Sequence, residues 1–163
     1  MAAVRSAVLP NPEATAALAA ALAATAPPGA VVHLQGDLGT GKSTLARAWL
    51  RALGVTGPVR SPTYTLVERY PLASGGEALH LDLYRIGDAG ELEFLGLDDA
   101  DARLWLVEWP ERGLGALPAP DLEVGLVVLG QGRACRLRFR TAAGDAWVAA
   151  LDEQRRLRGV PEP

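Results

Sequence analysis

The chain switches between two hydrophobic periods, and the switches mark its elements. Residues 30–34, AVVHL, are almost continuously apolar, which predicts a buried strand; a glycine-rich loop follows, then helical spacing from Ser43 to about Leu53, closed by Gly54. Upstream, Val4, Ala7, Val8 and Leu9 predict a short edge strand within residues 1–10. Asn11-Pro12-Glu13 then supplies an N-cap amide, a proline at the first helical position and an acid in the first turn. The alanine-rich tract 14–26 therefore reads as a helix, with Leu18 and Leu22 on one face and Pro27-Pro28-Gly29 as its stop.

Past Gly54, residues 59–67 are extended, because Pro62 cannot sit inside a helix and biases Ser61 away from helical geometry. Residues 65–70 and 78–84 predict a hairpin joined through 73–76, ASGG. Alternation in its second strand puts His80, Asp82 and Tyr84 on one face and Leu81 and Leu83 on the other. The polar face is either the solvated side of an antiparallel hairpin or part of a site. Asp88 and Glu91 have capping-box spacing and predict a short helix whose Leu92, Phe94 and Leu95 supply apolar contacts. Residues 104–109, LWLVEW, predict an apolar strand ending in an acid, and 110–120 a helical turn and linker. Residues 122–129 and 133–140 form a second hairpin around Gly130-Gln131-Gly132, with Cys135, Leu137 and Phe139 facing the core and Arg136, Arg138 and Arg140 facing away. Residues 144–157 predict a closing helix with Arg155, Arg156 and Arg158 near its end, and 159–163 a frayed tail.

Composition narrows the class. At 163 residues, 49% of them hydrophobic and 21% charged, the chain is expected to form one globular domain over 1–163. A net charge of −3 disfavours unaided nucleic-acid binding through a strongly basic face. The arginines of the second hairpin and the last helix are the one basic concentration; they serve either solubility and dipole pairing or docking of RNA or an acidic protein. Cys135 is the single cysteine and reads as a small packed residue, so no disulfide forms within the chain. With no cationic leader before an apolar segment and no run of about 18 apolar residues, a cytoplasmic location is expected.

The candidate chemistry lies in residues 36–43, GDLGTGKS, which fit G-x-x-x-x-G-K-[ST] with a strand before and a helix after. Glycines let successive N–H groups of Asp37, Leu38, Gly39, Thr40, Gly41, Lys42, Ser43 and Thr44 turn toward phosphate oxygens, and the helix aims its positive end at the same anion. Lys42 would reach the β- and γ-phosphates, and the Ser43 hydroxyl would bind a Mg²⁺ shared with them. Lys42 is also the only lysine, against 15 arginines, and stands where a compact ammonium fits better than a planar guanidinium. A metal of this kind needs a second carboxylate, and Glu108 stands where a buried strand would deliver one. The hydroxyls of 61–65 either sense the γ-phosphate as a switch segment or simply turn into the next strand. No N-K-x-D guanine-reading motif follows the loop, which favours ATP. A small-molecule kinase stays open but lacks an evident substrate lid.

Four blocks, GDLGTGKST at 36–44, SPTYTLV at 61–67, HLDLYR at 80–85 and EWPER at 108–112, resemble in order and spacing the bacterial TsaE (YjeE) family. The resemblance spans nearly the whole chain. It implies an α/β P-loop NTPase fold, a three-layer sandwich with a mainly parallel central sheet plus antiparallel hairpins. It also implies ATP and Mg²⁺ as cofactors, slow ATP hydrolysis, and work with the TsaB and TsaD proteins in making threonylcarbamoyladenosine beside the tRNA anticodon. Carried over by motif, Lys42, Asp82 and Glu108 would be catalytic, Asp82 positioning the attacking water or the metal's water shell, and Ser43 and Glu108 would anchor the metal. Thr63 and Thr65 would belong to a switch-like loop, Trp109 would line the nucleotide site, and Arg133 and Thr15 are candidates for its adenine end. Arg85 is the only candidate for an arginine finger. A nucleotide-gated adaptor that binds ATP without needing to hydrolyse it is the competing class.

Overall fold

The computed structural model describes residues 2–157. Its strands are β1 (Ala3–Leu9), β2 (Ala30–Gln35), β3 (Val67–Pro71), β4 (Glu77–Asp82), β5 (Ala102–Glu108), β6 (Leu122–Leu129) and β7 (Gly132–Phe139); its α-helices are α1 (Pro12–Thr25), α2 (Lys42–Ala52) and α3 (Thr141–Leu157). Short 3-10 turns at Ala89–Leu95, Leu97–Asp99 and Pro110–Gly113 complete it. The strands make one sheet in the order β1-β7-β6-β2-β5-β4-β3.

The four central strands β6, β2, β5 and β4 pair in parallel, while β7 and β1 extend one edge and β3 the other with antiparallel pairing. The composition of each strand explains its place. In β2, Val31, Val32, His33 and Leu34 are all buried, and so are Leu106 and Val107 of β5, as expected of strands covered on both faces. β4 belongs to this covered group. His80 and Asp82 are buried with the leucines, so the solvated-face reading of the first hairpin is wrong: β4 lies between β3 and β5, with His80 opposite Leu106 and Asp82 opposite Glu108.

All three α-helices pack on one face. Leu18 and Leu22 of α1, Leu45, Trp49 and Leu50 of α2 and Trp147 and Leu151 of α3 share one cluster with Val32, Leu34, Leu106, Leu122, Leu137 and Phe139 of the sheet. Trp147 is its keystone, meeting Trp49 edge-on at 5.9 Å and Phe139 at 5.8 Å between ring centroids. Cys135 is buried in the same cluster, and burial raises its thiol pKa to about 12, the chemistry of a packed residue and not of a nucleophile. On the opposite face Leu79, Leu81 and Val107 are covered by Leu83, Ile86 and Leu92, which come from turns. The expected three-layer sandwich is thus corrected to one α-helical layer on a sheet whose far side is covered, over β4 and β5, by 3-10 turns. Over β1, β7 and β6 that side carries exposed Val8, Val127 and Leu129.

Several boundaries shift for local reasons. Leu66 takes a positive φ of 67°, which breaks the extended run, so β3 starts at Val67. α3 starts at Thr141, whose hydroxyl accepts from Gly144 N–H at 3.1 Å and caps the first turn. The 3-10 turn after Asp88 buries Leu92, but Phe94 is 88% exposed and supplies no packing. Arg158 and the tail 159–163 lie outside the described residues. Among the described residues no helix is long and apolar enough to cross a membrane.

Candidate functional site

Because β2, β4 and β5 run parallel, their carboxyl ends open at one edge of the sheet, and three stretches meet there: the loop after Gln35, Asp82 and Glu108. In α/β sheets this is where ligands are held. The loop is built so that only glycine fits its first position. A Cβ on Gly36, at φ 149°, would stand 2.6 Å from the Leu126 carbonyl oxygen and 2.6 Å from Thr40 Oγ1. Thr40 itself is buried, its hydroxyl donating to the Asp37 carbonyl at 2.8 Å, which folds the loop on itself. Gly41, at φ 101°, caps α2, and the first intrahelical bond runs from Leu45 N–H to the Gly41 carbonyl. The N–H groups of Lys42, Ser43 and Thr44 are left for an anion, by the rule that a helix's first amides have no partner within it.

Arg133 grips the opposite side of this loop. Its Nε donates to the Thr40 carbonyl at 2.9 Å and its Nη2 to the Gly39 carbonyl at 3.2 Å. The guanidinium neutralises the carbonyls and leaves the amides free. Arg133 and Thr15, both expected at the adenine end, line one cavity of about 150 Å³ together with Asn11, Thr40, Gly41 and Thr44. A larger cavity of about 1070 Å³, lined by Leu18, Ala21, Cys135 and Arg155 among others, touches the loop only at Gly36.

Inside the mouth, the Ser43 hydroxyl donates to Glu108 Oε1 at 3.0 Å and lies 3.1 Å from Oε2. His80 Nε2 lies 2.7 Å from Oε2, and both His80 and Glu108 are about 2% exposed. Asp82 accepts from Thr63 Oγ1 at 3.1 Å and from Tyr84 N–H at 3.0 Å, and Thr63 is joined in turn to Ser61 at 2.7 Å. The 61–66 loop is therefore tied to a carboxylate of the site. Thr65 is not: its hydroxyl donates to Glu68 at 3.1 Å, on the exposed side.

Lys42 is 5% exposed; its ammonium donates to the Gly36 carbonyl and sits 3.6 Å from the centroid of the Trp109 ring. Trp109 holds that position through a left-handed backbone, φ 56°, directly after β5. Burial pushes the Lys42 pKa below the usual lysine value, and Glu108, then Glu111, Asp82 and Asp37, oppose the shift. Around Trp109, Tyr84 packs at 4.9 Å and Arg112 lies 5.0 Å from the Tyr84 ring. Arg85 lies 4.6 Å from the ring of Tyr64, a residue 81% exposed.

Of the residues singled out from sequence, Lys42, Ser43, Thr63, Asp82, Glu108 and Trp109 converge. Asp37, Leu38 and Thr44 lie exposed along the loop and first turn. Two contributors were given no role from sequence: His80, read only as part of the polar face it shares with Asp82, lies against Glu108, and Arg112 lies against the rings. Among the described residues no group of three His, Cys, Asp or Glu side chains could hold a metal by itself. One hydroxyl with one carboxylate suits a Mg²⁺ that completes its shell with phosphate and water.

Comparison with known proteins fits this geometry. The profile of the family described as "Threonylcarbamoyl adenosine biosynthesis protein TsaE" matches residues 9–134. A curated protein of Haemophilus influenzae named "tRNA threonylcarbamoyladenosine biosynthesis protein TsaE" is 44% identical over 124 residues, covering 74% of this chain and 77% of its own. A Bacillus subtilis protein of the same name is 40% identical over 121 residues, covering 70% and 72%. A crystal structure described as that of Bacillus subtilis YdiB superposes with a TM-score of 0.78 at 28% identity, covering 94% of this chain and 97% of that one.

Proposed function

This chain belongs to the TsaE family, and on that footing we propose that it is a Mg²⁺-dependent P-loop ATPase. It binds and slowly hydrolyses ATP in support of threonylcarbamoyladenosine formation on tRNA, acting in the cytoplasm with TsaB and TsaD and meeting tRNA through that complex. The observation that carries the reading is Ser43 Oγ held 3.0 Å from Glu108 Oε1 at the mouth of a glycine-rich loop, with the only lysine of the chain beside them.

The residues divide the work. The loop amides and Lys42 hold the phosphates, with Arg133 fixing the loop's shape from behind; Thr15, Arg133 and the cavity between them take the base. Ser43 and Glu108 hold Mg²⁺, which when bound neutralises charge on the β- and γ-phosphate oxygens. Asp82 accepts a hydrogen bond from the water that attacks, and Thr63 ties the 61–66 loop to Asp82, so that the loop and the nucleophile's position are coupled. Catalysis is then positioning and charge neutralisation, with no covalent intermediate.

Activity of the chain alone is low in this reading. Lys42 is occupied by the Gly36 carbonyl and the Trp109 ring, and Arg85 is spent on Tyr64. The same engagement of Lys42 favours the second reading, an adaptor gated by ATP occupancy alone. Phosphate release from ATP, measured alone and with TsaB, TsaD and tRNA, separates the two, with Lys42→Ala as control. The ATPase reading expects slow release that rises with the partners and vanishes in the variant. Release that never exceeds the variant's, while nucleotide still binds, leaves the adaptor. Transfer of phosphate to a metabolite instead of release would identify a kinase.

A further inference from the structure

We propose that His80 is the positioning residue for Glu108: its Nε2–H fixes the carboxylate so that Oε1, paired with the Ser43 hydroxyl, is the oxygen presented to the metal. The inference rests on the nucleotide reading above.

The geometry is specific. Glu108 lies at the end of β5 with about 2% of its surface exposed, and a carboxylate buried to that degree needs donors to both oxygens. A single hydroxyl, that of Ser43, stands within 3.1 Å of both. The second donor is His80 Nε2, 2.7 Å from Oε2, on the neighbouring strand β4, which is locked in register with β5 on one side and β3 on the other. A carboxylate has no proton to give, so the shared proton is carried by Nε2. His80 thus approaches from the sheet side, while Ser43 approaches from the loop side.

Without His80 the carboxylate has two pulls on it and no counterweight. Of the carboxylates around it, Glu108 most favours the charge on Lys42, and without His80 it would turn toward that ammonium, away from Ser43. That movement takes one anchor from the metal while leaving the fold's core intact. Orienting partners of metal ligands act in this way, their loss typically costing about 10- to 100-fold in metal affinity. The plain alternative is a core histidine satisfied by a convenient acceptor. The sequence pattern bears on the choice: a packing role needs an apolar side chain, and alternation along β4 puts Leu79 and Leu81 on the face that packs the second cluster, keeping His80 and Asp82 for the site's face.

The test uses wild type, His80→Leu and His80→Gln. Leucine fills the volume without a donor, and glutamine places an amide N–H near the position of Nε2. Affinity for a fluorescent ADP analogue is measured against Mg²⁺ concentration, with Mn²⁺ binding followed in parallel by electron paramagnetic resonance. His80→Leu is expected to raise the half-saturating Mg²⁺ concentration by about tenfold or more, with nucleotide affinity in the absence of metal unchanged, and His80→Gln to recover most of the loss. In a Glu108→Gln background His80→Leu should add no further shift. An unchanged Mg²⁺ dependence in His80→Leu, or a His80→Gln variant no better than leucine, overturns the assignment. Should both variants fail to fold, the Nε2 proton of wild type decides by NMR: a downfield, slowly exchanging signal that persists with Mg²⁺-ADP supports the role, and its disappearance on adding Mg²⁺-ADP refutes it. Absence of any Mg²⁺-dependent nucleotide binding by wild type counts against the nucleotide reading instead.

Discussion

At the residue scale, the two histidines of this chain show how burial divides structural from functional work. His33 sits in β2 on the face away from the helices, with Nε2 unpartnered, and desolvation holds its pKa below the ordinary histidine value against the pull of Glu123, the Pro118 carbonyl and Glu111. An unfolded histidine takes a proton near pH 6.5, before the folded one does. The stability contribution is therefore complete above about pH 6.5 and declines as pH falls through that value toward the lowered folded pKa, levelling off below it. Urea midpoints at pH 7.5 and 5.5 should differ for wild type and differ less for His33→Asn; equal acid losses in both would place the sensitivity elsewhere. His80 also has one unpartnered ring nitrogen, Nδ1, but its other, Nε2, stands 2.7 Å from a carboxylate. Its role was illegible in sequence for a physical reason: alternation shows that His80 and Asp82 share a face, but what that face meets depends on which strand pairs with β4, and Glu108 is 28 residues away along the chain. The glycine loop and Lys42 were legible because their chemistry is local.

At the scale of elements, β2, β6, β7 and α3 are joined through one side chain. Asp121 Oδ2 accepts from Val31 N–H at 2.8 Å and Oδ1 from the Thr141 hydroxyl at 2.7 Å, while its own N–H donates to the Val31 carbonyl and its carbonyl accepts from Arg140 N–H. Thr141 in turn caps α3. Hydrogen bonds to a charged acceptor contribute about 1.5–3 kcal/mol each, so Asp121→Ala should destabilise the protein by roughly 3 kcal/mol and Thr141→Val by less. Urea unfolding of both variants checks the order; a Thr141→Val loss equal to that of Asp121→Ala would mean that the Val31 bond contributes no more than the Gly144 cap that the valine also removes. This junction explains why α3 begins three residues before the reading from sequence put it. Asp121 fell between the linker read over 110–120 and the strand read from 122, and the backbone it holds is some 90 residues earlier in the chain. Strand existence, by contrast, was read correctly for all seven strands, because apolar periodicity and turn residues are local signals.

At the scale of the molecule, the parallel order β6-β2-β5-β4 brings the loop, Glu108 and Asp82 to one edge, and the α-helices to one face. The second face was expected to be helical and is covered by 3-10 turns, since Gly87, Gly90 and Gly96 interrupt the segment between β4 and β5, and Gly113, Gly115, Pro118 and Pro120 the segment after β5. The site therefore draws on elements that are distant in sequence and adjacent in the sheet, and a ligand that bridges them must stabilise the whole. A ligand that binds only the folded state at 100 times its Kd adds about 2.7 kcal/mol, and for a domain of this size each kcal/mol raises Tm by about 2–4 °C. Mg²⁺ with a non-hydrolysable ATP analogue should thus raise Tm by roughly 5–11 °C. Lys42→Ala should abolish most of that rise with or without metal, while Glu108→Gln should keep the metal-independent part and lose the increment due to Mg²⁺. The pattern matters more than the size, because a nonspecific anion effect would stabilise all three proteins alike, whereas a site assembled from α2, β5 and the loop separates the phosphate contribution from the metal contribution in these two variants.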